Sequence, residues 1–241
     1  MKIGVTPSDE RTHIKVVAEQ VRSLVACYLD TAGFAFNCVP FLDRIEQLSA
    51  IITLWGTRMN LTAQPDDPQE LAFHIIDSLT PVIFADREEL LGHAFREGNR
   101  VLDLGSGAGF PALVLASASP ASFTLIESRR KRASFLAVAA ADIDLKNVIV
   151  ESRRIKPEQA RSSPSLEDIK AKGCDGFDVV TARSYAHPPT FYSVAASALR
   201  PSGIAVLYAN SEQDLALPEA EKNSLYEFQS IAYTIPRSSR A

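Results

Sequence analysis

Three glycines at alternate positions punctuate the segment Val101-Leu102-Asp103-Leu104-Gly105-Ser106-Gly107-Ala108-Gly109-Phe110-Pro111, and Ala112-Leu113-Val114-Leu115-Ala116 follows as a helix start. A buried strand, a tight turn and a helix in that order make a binding device. Glycine accepts positive φ and lets a ligand approach the backbone where a Cβ would collide, and the first N–H groups of the helix face that ligand. The spacing GxGxG, rather than GxGxxG, points away from a dinucleotide, whose pyrophosphate needs anchoring, and toward S-adenosylmethionine. Glu127 stands 18 residues beyond Gly109, at the end of the next apolar run, where doubly wound folds place an acid to accept both ribose hydroxyls. A ligand-free glycine turn and a surface glutamate are the plainer readings of the two features taken singly. Together they point to a nucleoside cofactor.

Directly after Glu127 come Ser128 and four cations, Arg129, Arg130, Lys131 and Arg132. Residues 128–161 hold nine Lys/Arg against four Asp/Glu, in a chain whose net charge is −4. A solvated helix face is the ordinary explanation of such a run. Beside a cofactor mouth, and joined by Arg153, Arg154, Lys156 and Arg161, it reads instead as a track for phosphates. Arg183 follows the strand Phe177 to Thr181, so it belongs at the carboxyl edge of the sheet, where it faces a ligand or pairs with a loop acid.

These side chains need a scaffold, and the hydrophobic pattern supplies one. Residues 14–29 (Val17, Val21, Leu24, Val25, Tyr28) and 41–55 (Phe41, Leu42, Ile45, Leu48, Ile51, Ile52, Trp55) each predict a helix with one apolar face. A third helix is predicted from Pro68, capped by Asp67 and ending at Thr80-Pro81. From residue 100 the pattern changes to short apolar runs, at 101–104, 123–126, 148–150, 177–180 and 204–208. Helical stretches lie between them, as in a parallel sheet with crossover helices. The segment 158–173 reads as a surface loop. The fold class is therefore α/β, with a Rossmann-like domain over 86–241 and an N-terminal helical region over 1–85, packed as one compact unit.

Composition sets the outer bounds. The 241 residues are 46% hydrophobic and 22% charged, a globular balance that excludes a disordered or fibrous chain. Cys27, Cys38 and Cys174 are scattered and form no CxxC pair, so neither a disulfide framework nor a metal site is indicated. The first residues lack the apolar stretch of a signal peptide, and later apolar stretches are interrupted by charges; a cytoplasmic protein outside the membrane is expected.

Beyond these physical readings, the chain resembles the ribosomal RNA small subunit methyltransferase G family, also called glucose-inhibited division protein B. The resemblance is carried by Asn60-Leu61-Thr62-Ala63, Asp67-Pro68-Gln69-Glu70 and His74-Ile75-Ile76-Asp77-Ser78-Leu79. It continues through the glycine turn with its Phe110-Pro111 ending, Glu127-Ser128, Lys131-Arg132, Phe135-Leu136, Ser152-Arg153 and Ala182-Arg183-Ser184, in order over roughly residues 41–210. It implies transfer of a methyl group from S-adenosylmethionine to N7 of a guanosine in bacterial small-subunit rRNA, with rRNA or a ribosomal subunit as partner and a monomeric enzyme. That chemistry needs no general base, because N7 carries an in-plane lone pair and no proton; alignment of the reacting atoms is the main requirement. Cofactor contacts fall on Gly105, Gly107, Gly109, Phe110, Glu127 and Arg183, and RNA contacts on Arg129, Lys131, Arg132, Arg153 and Arg183. His74, Asp77 and Ser78 are candidates for the reaction centre, or else cap a helix and satisfy a core.

The chain departs from the family pattern in three places. Ala209 stands about where the family has a lysine after the fifth strand. Arg154-Ile155-Lys156 is basic where the family tends to be acidic. Arg240 matches a family arginine that precedes a last apolar antiparallel strand, and that strand is expected to be missing here, which would leave Val206 and Leu207 on an open edge and lower stability and activity. Competing readings are a methyltransferase acting on a small molecule, a non-catalytic remnant that binds RNA or cofactor, and, more remotely, a nicotinamide enzyme.

Overall fold

Apolar residues at helical spacing near the N-terminus fold into helices that extend beyond the predicted stripes at both ends. α1 (Pro7–Thr31) buries Val17, Ala18, Val21, Val25 and Leu29, and α2 (Cys38–Met59) buries Phe41, Leu42, Ile45, Leu48 and Ile52. Trp55, expected on the same inner face, sits at the edge of that stripe and is 40% exposed. The structure is a computed structural model that describes residues 7–34, 38–85, 91–155 and 176–209, with Ile231, Tyr233 and Ile235. The loop expected at 158–173 and the chain end at 236–241 fall outside the described residues.

α3 (Pro68–Ile83) begins as its sequence predicts. The Asp67 carboxylate accepts the N–H groups of Gln69 (2.8 Å) and Glu70 (3.3 Å), and Pro68 occupies the first turn, where its missing N–H is harmless. Its end differs from the expectation, since the helix continues through Pro81 to Ile83. Proline deprives the Asp77 carbonyl of its usual donor four residues on. The Thr80 hydroxyl donates to that carbonyl at 2.8 Å in its place.

The apolar runs form five strands: β1 (Arg100–Leu104), β2 (Ser122–Glu127), β3 (Val148–Ser152), β4 (Phe177–Arg183) and β5 (Leu199–Tyr208). They pair in parallel in the order β3-β2-β1-β4-β5. The crossovers contain α4 (Ala112–Ala118), α5 (Arg130–Asp142) and α6 (Pro188–Ala198). The periodicity does not anticipate α6, where Ala195, Ser197 and Ala198 dilute the stripe made by Phe191 and Val194. The strand order reverses at β1, so the glycine turn leaving β1 lies at the switch point, where open α/β sheets bind ligands.

Strand alternation divides the core. Leu102, Leu104, Val180 and Ala182 face Phe191, Val194 and Ala198 of α6. Val101, Phe123, Leu125 and Val179 face the other way, into a larger apolar cluster that includes Val21 of α1, Ile45 of α2, Ile75 of α3, Leu113 of α4 and Leu136 of α5. By the same alternation Asp103, Thr181 and Arg183 point to the side on which α3 is packed. That parity builds the site.

Candidate functional site

At the turn, Gly105, Gly107 and Gly109 have φ of +74°, +55° and +95°, a region that penalises any Cβ. They are required for different reasons. A Cβ on Gly105 would lie 2.9 Å from the Tyr185 ring, and one on Gly109 would lie 2.6 Å from the Leu113 side chain, so both glycines serve the protein's own packing. A Cβ on Gly107 would meet nothing closer than a backbone oxygen at 3.7 Å. Of the three, Gly107 is the one that opens the backbone to a ligand. Its N–H donates to Oε2 of Glu127 at 3.0 Å, and the N–H of Arg129 donates to Oε1 at 2.8 Å. Glu127 is 5% exposed, so β2 delivers a buried, oriented carboxylate to the mouth of the turn; Oε1 also accepts the Ser128 hydroxyl at 3.4 Å, and Oε2 keeps a second acceptor position. Phe110, which follows the turn, is buried and packs beside His74, with ring centroids 5.3 Å apart.

Asp103, within the motif but not singled out by its sequence position, is fully buried beneath the turn. Its Oδ1 accepts the Thr181 hydroxyl at 2.6 Å, while Oδ2 has no hydrogen-bond partner. Burial pushes the Asp103 carboxyl up to about 6; the Ser106 and Thr181 hydroxyls act in the opposite sense, and the Glu127 charge adds to the rise. An acid inside an otherwise apolar strand leading into a glycine turn is the signal that could have identified it.

On the other wall, α3 brings His74 and Asp77 to Arg183 at the end of β4. Nη2 of Arg183 donates to Nδ1 of His74 at 2.7 Å, and Nη1 lies 3.3 Å from Oδ2 of Asp77. The guanidinium predicted to touch cofactor or RNA backbone is thus held by α3, with 19% of its side chain exposed. Ser78 does not project toward the turn. It is fully buried and its hydroxyl donates to the His74 carbonyl at 2.6 Å, within its own helix. The Ser78 carbonyl accepts the Tyr208 hydroxyl at 2.8 Å, and Tyr233 donates to Oδ1 of Asp77 at 2.6 Å. Burial raises both tyrosine pKa values. That of Tyr233 reaches about 12, with its hydrogen bond to Asp77 adding to the rise, so both hydroxyls remain donors. Neither tyrosine is marked by a sequence motif.

The predicted RNA-binding cations separate into two groups. Arg129, Arg130 and Lys131 are exposed at the start of α5. Arg132 instead donates to the Asn60 carbonyl, tying α5 to the loop between α2 and α3. Arg153 forms an ion pair with Glu151, both side chains being about a quarter exposed. Lys156 and Arg161 lie outside the described residues. Among the described residues no cluster of His, Cys, Asp or Glu could hold a metal ion, and no helix is long and apolar enough to cross a membrane.

A sequence model of the rRNA small subunit methyltransferase G family matches residues 42–238. The chain belongs to that family. Relatives of that name include one from Acidiphilium cryptum, 36% identical over 73% of this chain and 71% of its own length. Another from Halorhodospira halophila is 33% identical over 80% and 83%, and one from Wolinella succinogenes is 30% identical over 81% and 91%. Among solved structures, the O-methyltransferase TomG from Streptomyces achromogenes, in complex with SAM, is similar at 20% identity, with a TM-score of 0.45, over 67% of this chain and 64% of that one. The cofactor of a methyltransferase family, S-adenosylmethionine, fits the residues present. Gly107 offers an open approach to backbone, Glu127 offers acceptors, and Asp103 offers an unpartnered carboxylate oxygen beneath the turn. At the departures from the family pattern, Arg154 is exposed, Ile155 is buried with its carbonyl accepting the Tyr185 hydroxyl at 3.0 Å, and Ala209 follows β5 on the surface.

Proposed function

We propose that the chain transfers a methyl group from S-adenosylmethionine to N7 of a guanosine in small-subunit rRNA, acting as a monomer in the cytoplasm. The observation that carries this reading is the buried Glu127 carboxylate anchored on the Gly107 N–H, beside a turn whose middle glycine opens to solvent, in a chain of the rRNA small subunit methyltransferase G family. When bound, S-adenosylmethionine supplies an electrophilic methyl group, whose C–S bond breaks as the bond to N7 forms and whose positive charge passes to the purine.

The protein's own residues orient and enclose. Glu127 accepts the ribose hydroxyls, Gly107 lets the cofactor lie against the turn, and Phe110 and His74 form the wall toward α3. No proton has to be removed from N7, so the site needs no general base, and its histidine Nδ1 instead accepts from Arg183. Arg129, Arg130 and Lys131 hold the RNA backbone, and residues 1–85 and 86–241 act as one unit, supported by the apolar cluster that joins α1, α2 and α3 to the sheet.

Mass spectrometry of small-subunit rRNA from cells with and without the gene provides the test. N7-methylguanosine should disappear with the gene, return with the wild-type chain, and not return with Glu127→Ala. Unchanged N7-methylguanosine in the deleted strain would overturn the reading.

A further inference from the structure

At the end of β4 the backbone sends two side chains to opposite walls. Alternation alone would put Tyr185 on the side of Arg183. Ser184, at φ +53°, breaks that alternation, and Tyr185 packs instead against the apolar cluster that contains Leu102, Leu104 and Ile126. Its ring lies against Gly105, where an added Cβ would come within 2.9 Å of Cδ2. Its hydroxyl donates to the Ile155 carbonyl at 3.0 Å. Burial raises the Tyr185 pKa, with Arg154 acting in the opposite sense, so this donor keeps its proton. Ile155, itself buried, belongs to the irregular segment that follows β3. That segment is tied to β2, because the Arg153 N–H donates to the Glu127 carbonyl at 3.1 Å. Gly105 is tied to β2 as well, its N–H donating to the Ile126 carbonyl at 2.8 Å. Tyr185 therefore closes a ring of contacts that runs from the turn through β2 and residues 153–155 and back to the turn, with Glu127 as one of its members.

We propose that Tyr185 is a positioning residue for the nucleoside end of the cofactor, holding residues 153–155 and the glycine turn in place on either side of Glu127. The proposal rests on the reading of Glu127 as the ribose acceptor and names the residue that sets the walls around it. β2 lies between β1 and β3, so a nucleoside held by Glu127 has the turn after β1 on one side and the segment after β3 on the other. The turn has its own bonds to β2 and gains the Tyr185 ring as backing. Residues 153–155 belong to no strand or helix, and their far end is held by the buried Ile155 side chain and the Tyr185 hydroxyl. A wall fixed before the cofactor arrives does not have to be ordered on binding, which raises affinity without adding a contact. Tyr185 acts through Ile155 and Gly105 rather than by a bond of its own to the cofactor.

Calorimetry of the full chain with S-adenosylhomocysteine tests this on Tyr185→Phe, which keeps the ring against Gly105 and loses the bond to Ile155. Affinity should fall about threefold to tenfold, the weight of one neutral hydrogen bond, with the number of sites per chain unchanged. A loss of folded protein alone would do the reverse, lowering the number of sites and leaving the affinity of the remainder as it was. Tyr185→Leu, which also removes the ring, should weaken binding further. With small-subunit particles from cells lacking the gene, Tyr185→Phe should raise KM for S-adenosylmethionine by the same factor and leave KM for the particles unchanged. Wild-type affinity in Tyr185→Phe, fewer sites at unchanged affinity, or equal rises in both KM values would overturn the proposal. Glu127→Ala, titrated beside it, keeps the two readings apart. If Glu127→Ala abolishes binding, the cofactor reading stands whatever Tyr185→Phe does; if it binds as tightly as the wild type, that reading fails and the proposal with it.

Discussion

Asp103 carries a charge that its surroundings oppose. With its pKa raised from 3.8 to about 6 by burial, the folded chain holds a proton through that interval which the unfolded chain has released. Native stability from this group is therefore present at low pH, declines as pH rises through the interval, and above it stays lower by a constant amount, on the order of 2–3 kcal/mol. Asp103→Asn should be more stable than the wild type by that order near neutral pH and nearly equal to it at the acid end of the interval. Urea denaturation of both proteins across the range measures the difference. A gap independent of pH would show that Asp103 does not titrate on unfolding. At the same scale, the sequence makes Glu127 and the glycines legible because their spacing along one strand-turn-helix unit is local. It leaves the surroundings of Ser78 and Arg183 open between two readings, because a serine in a helix can bond to its own turn and an arginine can reach across elements.

α3 illustrates how an element positions chemistry and where sequence rules misplace its end. His74 and Asp77 are three residues apart, so they share a helix face, and that is readable from their spacing. Continuation through Pro81 is not, because it depends on the Thr80 hydroxyl taking over the Asp77 carbonyl. Thr80→Val should cost about 1 kcal/mol of stability, and Thr80→Ser should restore most of it. Pro81→Ala supplies the missing N–H, so the loss on Thr80→Val should shrink in that background. Thermal denaturation of the four proteins forming the double-mutant cycle reads the coupling. Equal losses with and without Pro81 would remove this explanation of the helix end.

For the whole molecule, a net charge of −4 describes RNA binding poorly, because the charges are segregated. Residues 1–80 hold six cations and ten anions, and residues 81–241 hold nineteen of each. The exposed cations Arg129, Arg130 and Lys131 stand directly after Glu127, so the proposed phosphate track lies beside the proposed cofactor mouth rather than being spread over the surface. Changing these three to alanine should weaken rRNA binding at low salt and flatten its dependence on log salt by about 0.7–0.9 for each phosphate no longer neutralised. S-adenosylhomocysteine affinity should stay constant, since Glu127 binds the backbone N–H of Arg129 and not its side chain. Filter binding across a salt series tests this. An unchanged slope with full activity would favour the competing reading of a small-molecule substrate.

What the sequence alone determined is what short-range forces decide: the strand-turn-helix unit at Gly105–Gly109, the acid closing β2 and the cap at Asp67. Each follows from φ preferences, capping bonds or a two-residue period within a few neighbours along the chain. Tertiary structure decided which groups meet. Arg183 finds His74 across 109 positions and Tyr233 finds Asp77 across 156. No periodicity encodes those distances; they arise because burying the apolar faces of α1, α2 and α3 against the sheet brings α3 over the carboxyl ends of β4 and β5. There polar groups held away from water pair across elements, as His74 with Arg183 and Asp77 with Tyr233 do.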